Sequence, residues 1–128
     1  MILDSSAVIA IVLGEPEARA FELAIQNGPR CLMSAASVLE CAIVLRRRLG
    51  DAGASKLDQL IDRLPITVRP VELDQLQWAR HAVETYGRGQ HPAKLNFGDC
   101  FSYALAKSSG EPILFKGTDF SLTDLATA

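Results

Sequence analysis

Residues 1–13, MILDSSAVIAIVL, decide the fold class of this chain. The apolar run over residues 1–4 ends in an acid and predicts a short strand. Residues 5–13 predict a helix, with Asp4 or Ser5 available as its N-terminal cap. A strand that passes straight into a helix is typical of proteins in which the two kinds of element alternate.

The rest of the chain continues this alternation. Short apolar or β-branched runs predict strands at residues 30–34, 66–71 and 113–115. Pro70 interrupts the second of these runs and places it at a sheet edge. Helical spacing of apolar residues predicts helices at residues 17–25, 35–49, 51–64, 73–86 and 96–108. We expect a single domain over residues 1–128, an α/β/α sandwich around a mostly parallel sheet of four to five strands.

Composition limits the classes of function. Hydrophobic residues make up 48% of the 128 residues, which is enough for a folded core without disulfides. The formal net charge is −2, so the chain is not a generally basic nucleic-acid coat. If RNA is its partner, the positive charge must lie in patches or come from bound metal.

The three cysteines and the N-terminus exclude further classes. Cys31, Cys41 and Cys100 show no CxxC spacing, which disfavours zinc fingers, redox pairs and a disulfide framework. Each lies in an apolar stretch, so we expect small buried side chains. No signal-peptide pattern and no apolar run of membrane-spanning length is present. We expect a cytoplasmic protein with no membrane association.

Helical spacing also assigns side chains to the core. One stripe of residues 51–64 comprises Leu57, Leu60, Ile61 and Leu64. In residues 73–86, the same reasoning places Trp78 in the core with Leu76 and Val83, rather than on a base-stacking surface.

Four acidic residues stand out by position: Asp4, Glu40, Asp99 and Asp119. Each has an ordinary interpretation by itself, as a helix cap, a surface glutamate, an acid at a helix N-terminus and a turn residue. Together they follow the first and last strands or lie in early turns of helices. In a parallel sheet these places converge beyond the carboxyl ends of the strands.

Converging carboxylates need protons or cations to coexist, because they repel one another. Oxygen ligands with open positions suit Mg²⁺ or Mn²⁺ rather than zinc. Such ions activate water and neutralise the charge that develops on a phosphodiester under attack. Neither His81 nor His91 has metal-ligand spacing, and no Ser–His or Cys–His pairing competes. The residues therefore indicate a metal-dependent nuclease.

Four segments resemble the PIN-domain family, in particular its VapC-type toxin ribonucleases. They are MILDSSAVIAIVLGEPEA (1–18), SAASVLECAIVL (34–45), LNFGDCFSYALAK (95–107) and LFKGTDFSLTDL (114–125). The resemblance implies the toxin component of a type II toxin–antitoxin system, an endoribonuclease that uses Mg²⁺ or Mn²⁺. It also implies a homodimer and a cognate VapB-type antitoxin whose C-terminal segment enters the acidic groove.

The resemblance assigns roles to individual residues. Asp4 and Asp99 match the two metal-binding aspartates, and Glu40 and Asp119 match the further acids of the site. Ser6 matches a hydroxyl that supports the first aspartate. Thr118 departs from the usual Asn or Asp of the final turn, keeping a hydrogen-bonding group but removing a carboxylate. Asp124 also matches a recurrent position, and we expect it to be structural.

Five basic residues are candidates for RNA binding. The end of the Glu40 helix carries Arg46 and Arg47, which also interact favourably with the helix dipole. Arg88 and Lys94 lie in the loop before the Asp99 helix, and Lys116 directly precedes the Asp119 turn. Phosphate contacts by such side chains would position RNA without reading its sequence.

Two alternatives remain open. A phosphoryl-transfer module also places an acid after its first strand, but a haloacid-dehalogenase-type phosphatase needs a second aspartate where Ser6 stands. The other is a PIN fold that binds a basic peptide in its acidic groove without catalysis. Metal-dependent nuclease activity that an active-site mutation abolishes would exclude this second alternative.

Overall fold

A computed structural model describes all 128 residues and confirms the alternating α/β architecture. The strands are β1 (Ile2–Leu3), β2 (Cys31–Ser34), β3 (Ile66–Arg69) and β4 (Ile113–Leu114). The helices are α1 (Ser5–Val12), α2 (Ala18–Asn27), α3 (Ala35–Leu49), α4 (Asp51–Arg63), α5 (Leu73–Tyr86) and α6 (Phe97–Ser109). A 3₁₀ turn, Phe120–Leu122, follows β4. None of the helices is long and apolar enough to cross a bilayer.

The four strands form one parallel sheet in the order β3-β2-β1-β4. The edge position predicted for the third strand is confirmed, although β3 ends at Arg69, before Pro70. The chain moves from β1 to β2 on one side and returns to β4 on the other, so the strand order reverses beside β1. Ligand sites of open α/β sheets lie at the carboxyl ends of strands at such a reversal.

Helices cover both faces of the sheet. Side chains alternate along each strand, so Leu3, Met33 and Leu114 join a core with α1 to α4, and Ile2 and Ile113 join a second core with α6. The α4 stripe is confirmed, with Leu57, Leu60 and Leu64 buried and Ile61 packed against them. All three cysteines are buried free thiols, as predicted.

The core assignment for α5 was largely wrong. Leu76 and Val83 are more than half exposed, and Gln75 and Ala82 are buried instead. Helix α5 packs chiefly against α6, so only a narrow strip of its surface is covered. Trp78 is half-buried, with the Lys107 ammonium 5.0 Å from its ring centroid.

Asp124 ties the C-terminal segment to α6. Its carboxylate accepts hydrogen bonds of 2.8 Å from the buried Tyr103 hydroxyl and from the Lys107 ammonium. Partial burial opposes ionisation, but these two hydrogen bonds lower the pKa of Asp124 below its ordinary value. This contact gives Asp124 a structural role at the end of the chain.

We expect Asp124→Ala to lower the free energy of unfolding by about 1–2 kcal/mol at pH 7, because it leaves the Tyr103 hydroxyl unpaired. The ionic part of this contribution is present above the unfolded pKa of aspartate and is lost as pH falls through the lowered pKa of the folded state. Urea denaturation at pH 7 measures the whole contribution of Asp124. Urea denaturation below pH 4 measures what is left as the ionic part is lost. An undiminished stability at pH 7 would contradict the structural role.

Candidate active site

Asp4 lies at the carboxyl end of β1, where it caps α1 and is 2% exposed. Its Oδ2 atom accepts hydrogen bonds from the Ser6 amide at 3.0 Å and the Ser6 hydroxyl at 2.6 Å. Its Oδ1 atom accepts from the Ser102 hydroxyl at 2.6 Å. These donors offset the cost of burying a carboxylate, so the cap and the proposed site role coincide in one residue.

The two hydroxyls also link Asp4 to its surroundings. The Ser6 hydroxyl accepts from the Lys116 backbone amide at 3.0 Å, which joins Asp4 to the segment after β4. Ser102 lies 3.3 Å from the Ser37 hydroxyl of α3, and both serines are buried. The expectation that Ser6 supports Asp4 therefore agrees with the geometry, and Asp4 is held by donors from the two helices α1 and α6.

Glu40 projects from α3 toward the first turn of α6. Its carboxylate accepts a hydrogen bond from the Ser5 hydroxyl of α1. The same carboxylate lies against Gly98, where a β-carbon would stand 2.5 Å from the Glu40 carboxyl carbon. The neighbouring Cys41 thiol has its pKa raised by burial and then by the charges of Asp4 and Glu40, so it stays protonated.

Asp99 lies in the first turn of α6 and forms a capping box with Asn96. The Asn96 amide donates to Asp99 Oδ2 at 2.8 Å, and the Asp99 amide donates to Asn96 Oδ1 at 2.9 Å. Burial raises the pKa of Asp99 to about 6; the hydrogen bond from Asn96 opposes this rise, and the charges of Asp4, Asp119 and Glu40 add to it. Asp99 is thus within electrostatic reach of the other three acids.

Asp119 is exposed at the start of the 3₁₀ turn. It borders a cleft of about 650 Å³ that is otherwise lined by the loop of residues 88–94, including Arg88, His91 and Lys94. Lys94 has a positive φ of 52°, unusual for a residue other than glycine. The basic loop therefore faces the acidic end of the molecule, as its place in the sequence suggested.

The four acids share one end of the fold, and none of them forms an ion pair, whereas all eight ion pairs of the chain involve other groups. No three acidic, histidine or cysteine side chains are close enough to enclose a metal by themselves. Mg²⁺, however, keeps several waters and binds through one or two carboxylates. A buried carboxylate without a cationic partner, beside a second one with a raised pKa, fits such an ion.

The remaining predicted residues differ in their surroundings. Lys116 pairs with Glu15 and, at 3.5 Å, with Glu17, so its ammonium is already engaged. Arg46 is 3.9 Å from Asp51 and largely exposed. Arg47 borders a groove of about 610 Å³ between α3 and α6, beside Glu40. The Thr118 hydroxyl makes no hydrogen bond. The backbone carbonyl of Thr118 accepts a hydrogen bond from the Ser121 hydroxyl.

Three residues of the candidate site were not predicted from the sequence: Ser5, Gly98 and Ser102. Ser102 lies three residues after Asp99, on the same side of α6, which could have indicated a contact with the acids. Ser5 was considered only as a helix cap. For Gly98 the available signal was a glycine inside a helix, where glycine is unfavourable.

The chain matches known proteins along nearly its whole length. The PIN domain family model matches residues 1–125. Ribonuclease VapC30 of Mycobacterium tuberculosis is 49% identical over 127 residues, covering 99% of this chain and 97% of that protein.

Two solved structures share the fold at low sequence identity. The sarcin-ricin loop cleaving toxin VapC20 of Mycobacterium tuberculosis superposes with a TM-score of 0.80 at 18% identity, covering 99% of this chain and 97% of VapC20. A toxin–antitoxin complex from Klebsiella pneumoniae gives a TM-score of 0.75 at 15% identity, covering 99% of this chain and 95% of that chain. The family match and the 49% identical relative establish that the chain belongs to the PIN-domain family, in its VapC ribonuclease branch.

Proposed function

We propose that this chain is the toxin of a type II toxin–antitoxin system, an endoribonuclease that uses Mg²⁺ or Mn²⁺ at Asp4, Glu40, Asp99 and Asp119. The observation that carries the proposal is Asp4, a buried carboxylate fixed by hydroxyl groups and lacking any cationic partner. The family supports RNA as the substrate, since VapC30 is named a ribonuclease.

Each acid has a distinct task in this proposal. Asp4 and Asp99 hold the cation, which when bound would activate water and offset the charge on the phosphodiester. Ser6 and Ser102 keep the Asp4 carboxylate in one orientation, so little reorganisation is needed when substrate binds. Glu40, oriented by Ser5, and Asp119, at the edge of the cleft, complete the negative end of the site.

Arg88 and Lys94 are proposed to bind the phosphates that flank the cut. They line the same cleft as Asp119 and form no ion pair within the chain. Their charges are therefore available to RNA without first breaking an internal contact. Arg46 and Arg47 stay secondary candidates, and Lys116 is the weakest because Glu15 and Glu17 hold it.

A VapB-type antitoxin is the proposed partner of the free protein. The groove between α3 and α6 exposes Leu39, Ile43 and Phe97 next to Glu40, and contiguous exposed apolar side chains are typical of binding surfaces. A segment lying there would also cover Glu40. We expect the toxin alone to form a homodimer, which sedimentation measurements would check.

RNA cleavage by the purified chain tests the proposed function. We expect fragments to accumulate with Mg²⁺ or Mn²⁺ and cleavage to stop when EDTA removes the cation, because the ion that would activate water is then absent. Restoring the cation should restore cleavage. A rate in EDTA equal to that in Mg²⁺ would contradict metal dependence, and no cleavage of any RNA under either condition would favour a non-catalytic module.

Charge removal at the loop tests the RNA surface. We expect Arg88→Gln and Lys94→Gln each to weaken RNA binding and to reduce the slope of log affinity against log salt by about 0.7. Binding is measured in the Asp4→Asn background, where RNA stays intact. Lys56→Gln, an exposed lysine of α4, serves as the control, and equal effects at all three positions would contradict a specific surface.

A further inference from the structure

The position of Glu40 depends on the absence of a side chain at residue 98. Gly98 lies in the first turn of α6, where alanine would favour the helix. Its φ is not positive, unlike that of Gly110 at the end of the same helix. The backbone conformation at residue 98 therefore gives no reason for glycine.

The space around Gly98 supplies the reason. A β-carbon there would stand 2.5 Å from Cδ and 2.9 Å from Oε1 of Glu40, and nearer still to Oε2. No atom of any other residue is among the three nearest to that position. The Glu40 carboxylate thus fills the volume that a side chain at residue 98 would need.

The other carboxylate oxygen of Glu40 is also held, because the Ser5 hydroxyl of α1 donates to Oε1, whereas a β-carbon at residue 98 would lie nearest Oε2. A methyl group at residue 98 would displace the carboxylate, and that displacement would disturb its hydrogen bond with Ser5. We propose that Gly98 is a positioning residue, whose missing side chain lets Glu40 reach the first turn of α6 beside Asp99. The contact between Gly98 and Glu40 does not depend on the proposed function. The effect of Gly98 on RNA cleavage does rest on the proposed function.

A double-mutant cycle tests the contact by urea denaturation without metal. In the Glu40→Ala background, Gly98→Ala should raise the urea midpoint, by on the order of 0.5 M, because helix propensity then acts alone. With Glu40 present, the same change should raise the midpoint less or lower it. An equal shift in both backgrounds, or a larger rise with Glu40 present, would overturn the proposal.

Gly53→Ala provides the control. A β-carbon at Gly53 would lie 2.5 Å from the Leu45 carbonyl oxygen of α3, a backbone atom that does not depend on Glu40. We expect this change to lower the midpoint by the same amount in both backgrounds. If residue 40 alters the effect of Gly98→Ala on the midpoint but not the effect of Gly53→Ala, the contact is specific. If it alters both effects by similar amounts, the proposal is overturned.

Steady-state kinetics with RNA and Mg²⁺ test the consequence. Gly98→Ala should lower kcat by at least about tenfold and leave KM within about twofold, since the displaced group acts at the reacting centre and RNA is held elsewhere. A raised KM with normal kcat would overturn the positioning role. Coupling in the stability cycle with normal kinetics would show that the contact exists and that the proposed role of Glu40 in cleavage is wrong.

Discussion

Asp4→Asn is expected to reduce the rate of RNA cleavage by about 10³-fold, equivalent to about 4 kcal/mol of transition-state stabilisation. The amide keeps the size of the side chain but removes the charge that would hold the cation. Ser6 can still donate to the amide oxygen, and the Ser102 hydroxyl can accept from the amide group. The loss should therefore arise from chemistry and not from unfolding.

The control for this variant is Asp58→Asn, which removes a carboxylate from the exposed face of α4. It should cut RNA at the parent rate. Circular dichroism and urea denaturation establish that both proteins are folded before rates are compared. Cleavage by Asp4→Asn within a few fold of the parent would refute the assignment of Asp4.

Asp99→Asn is expected to abolish cleavage to a similar degree while making the metal-free protein more stable. The raised pKa, about 6 against an ordinary value of 3.8, means that the folded state disfavours the charged form. Because the folded state then binds more protons, this group lowers stability as pH rises from about 4 to 6. Asparagine removes that penalty and can still accept from the Asn96 amide.

The expected gain is about 1–2 kcal/mol at pH 7.5 in EDTA, reduced from the full value of the pKa shift because the group is partly exposed to solvent. The difference between the two proteins should shrink as pH falls through 3.8, where Asp99 becomes protonated in the unfolded state as well. Urea denaturation across this range measures it. A variant less stable than the parent at pH 7.5 would show that capping, not charge, dominates at this position.

The framework of the site was predictable because it depends on local patterns. The apolar run ending at Asp4 predicted a strand with an acid at its carboxyl end. In a parallel sheet, Asp4, Asp99 and Asp119 were then expected at the same end of the fold. Glu40 was recognisable as an acid among apolar neighbours without a nearby base. These inferences need only the period of the apolar residues and the direction of the strands.

What could not be predicted depends on contacts between distant elements. The Ser5–Glu40 and Ser102–Asp4 hydrogen bonds join residues 35 and 98 positions apart, and no pattern in the sequence sets their geometry. Lys116 was predicted from its position to contact RNA, but its ammonium forms ion pairs with Glu15 and Glu17. The outer face of α5 was misassigned because helical spacing does not tell how much of a helix its neighbours cover.

The proposed site brings four acids together, and a divalent cation would relieve their mutual repulsion. The most direct test of this site is the free energy of unfolding of the parent, Asp4→Asn and Asp99→Asn proteins as Mn²⁺ is added at pH 7.5. At a hundred times the dissociation constant, the cation should stabilise the parent by about 2–3 kcal/mol and leave both variants nearly unchanged. An equal response of all three proteins, or no response of the parent, would contradict the account.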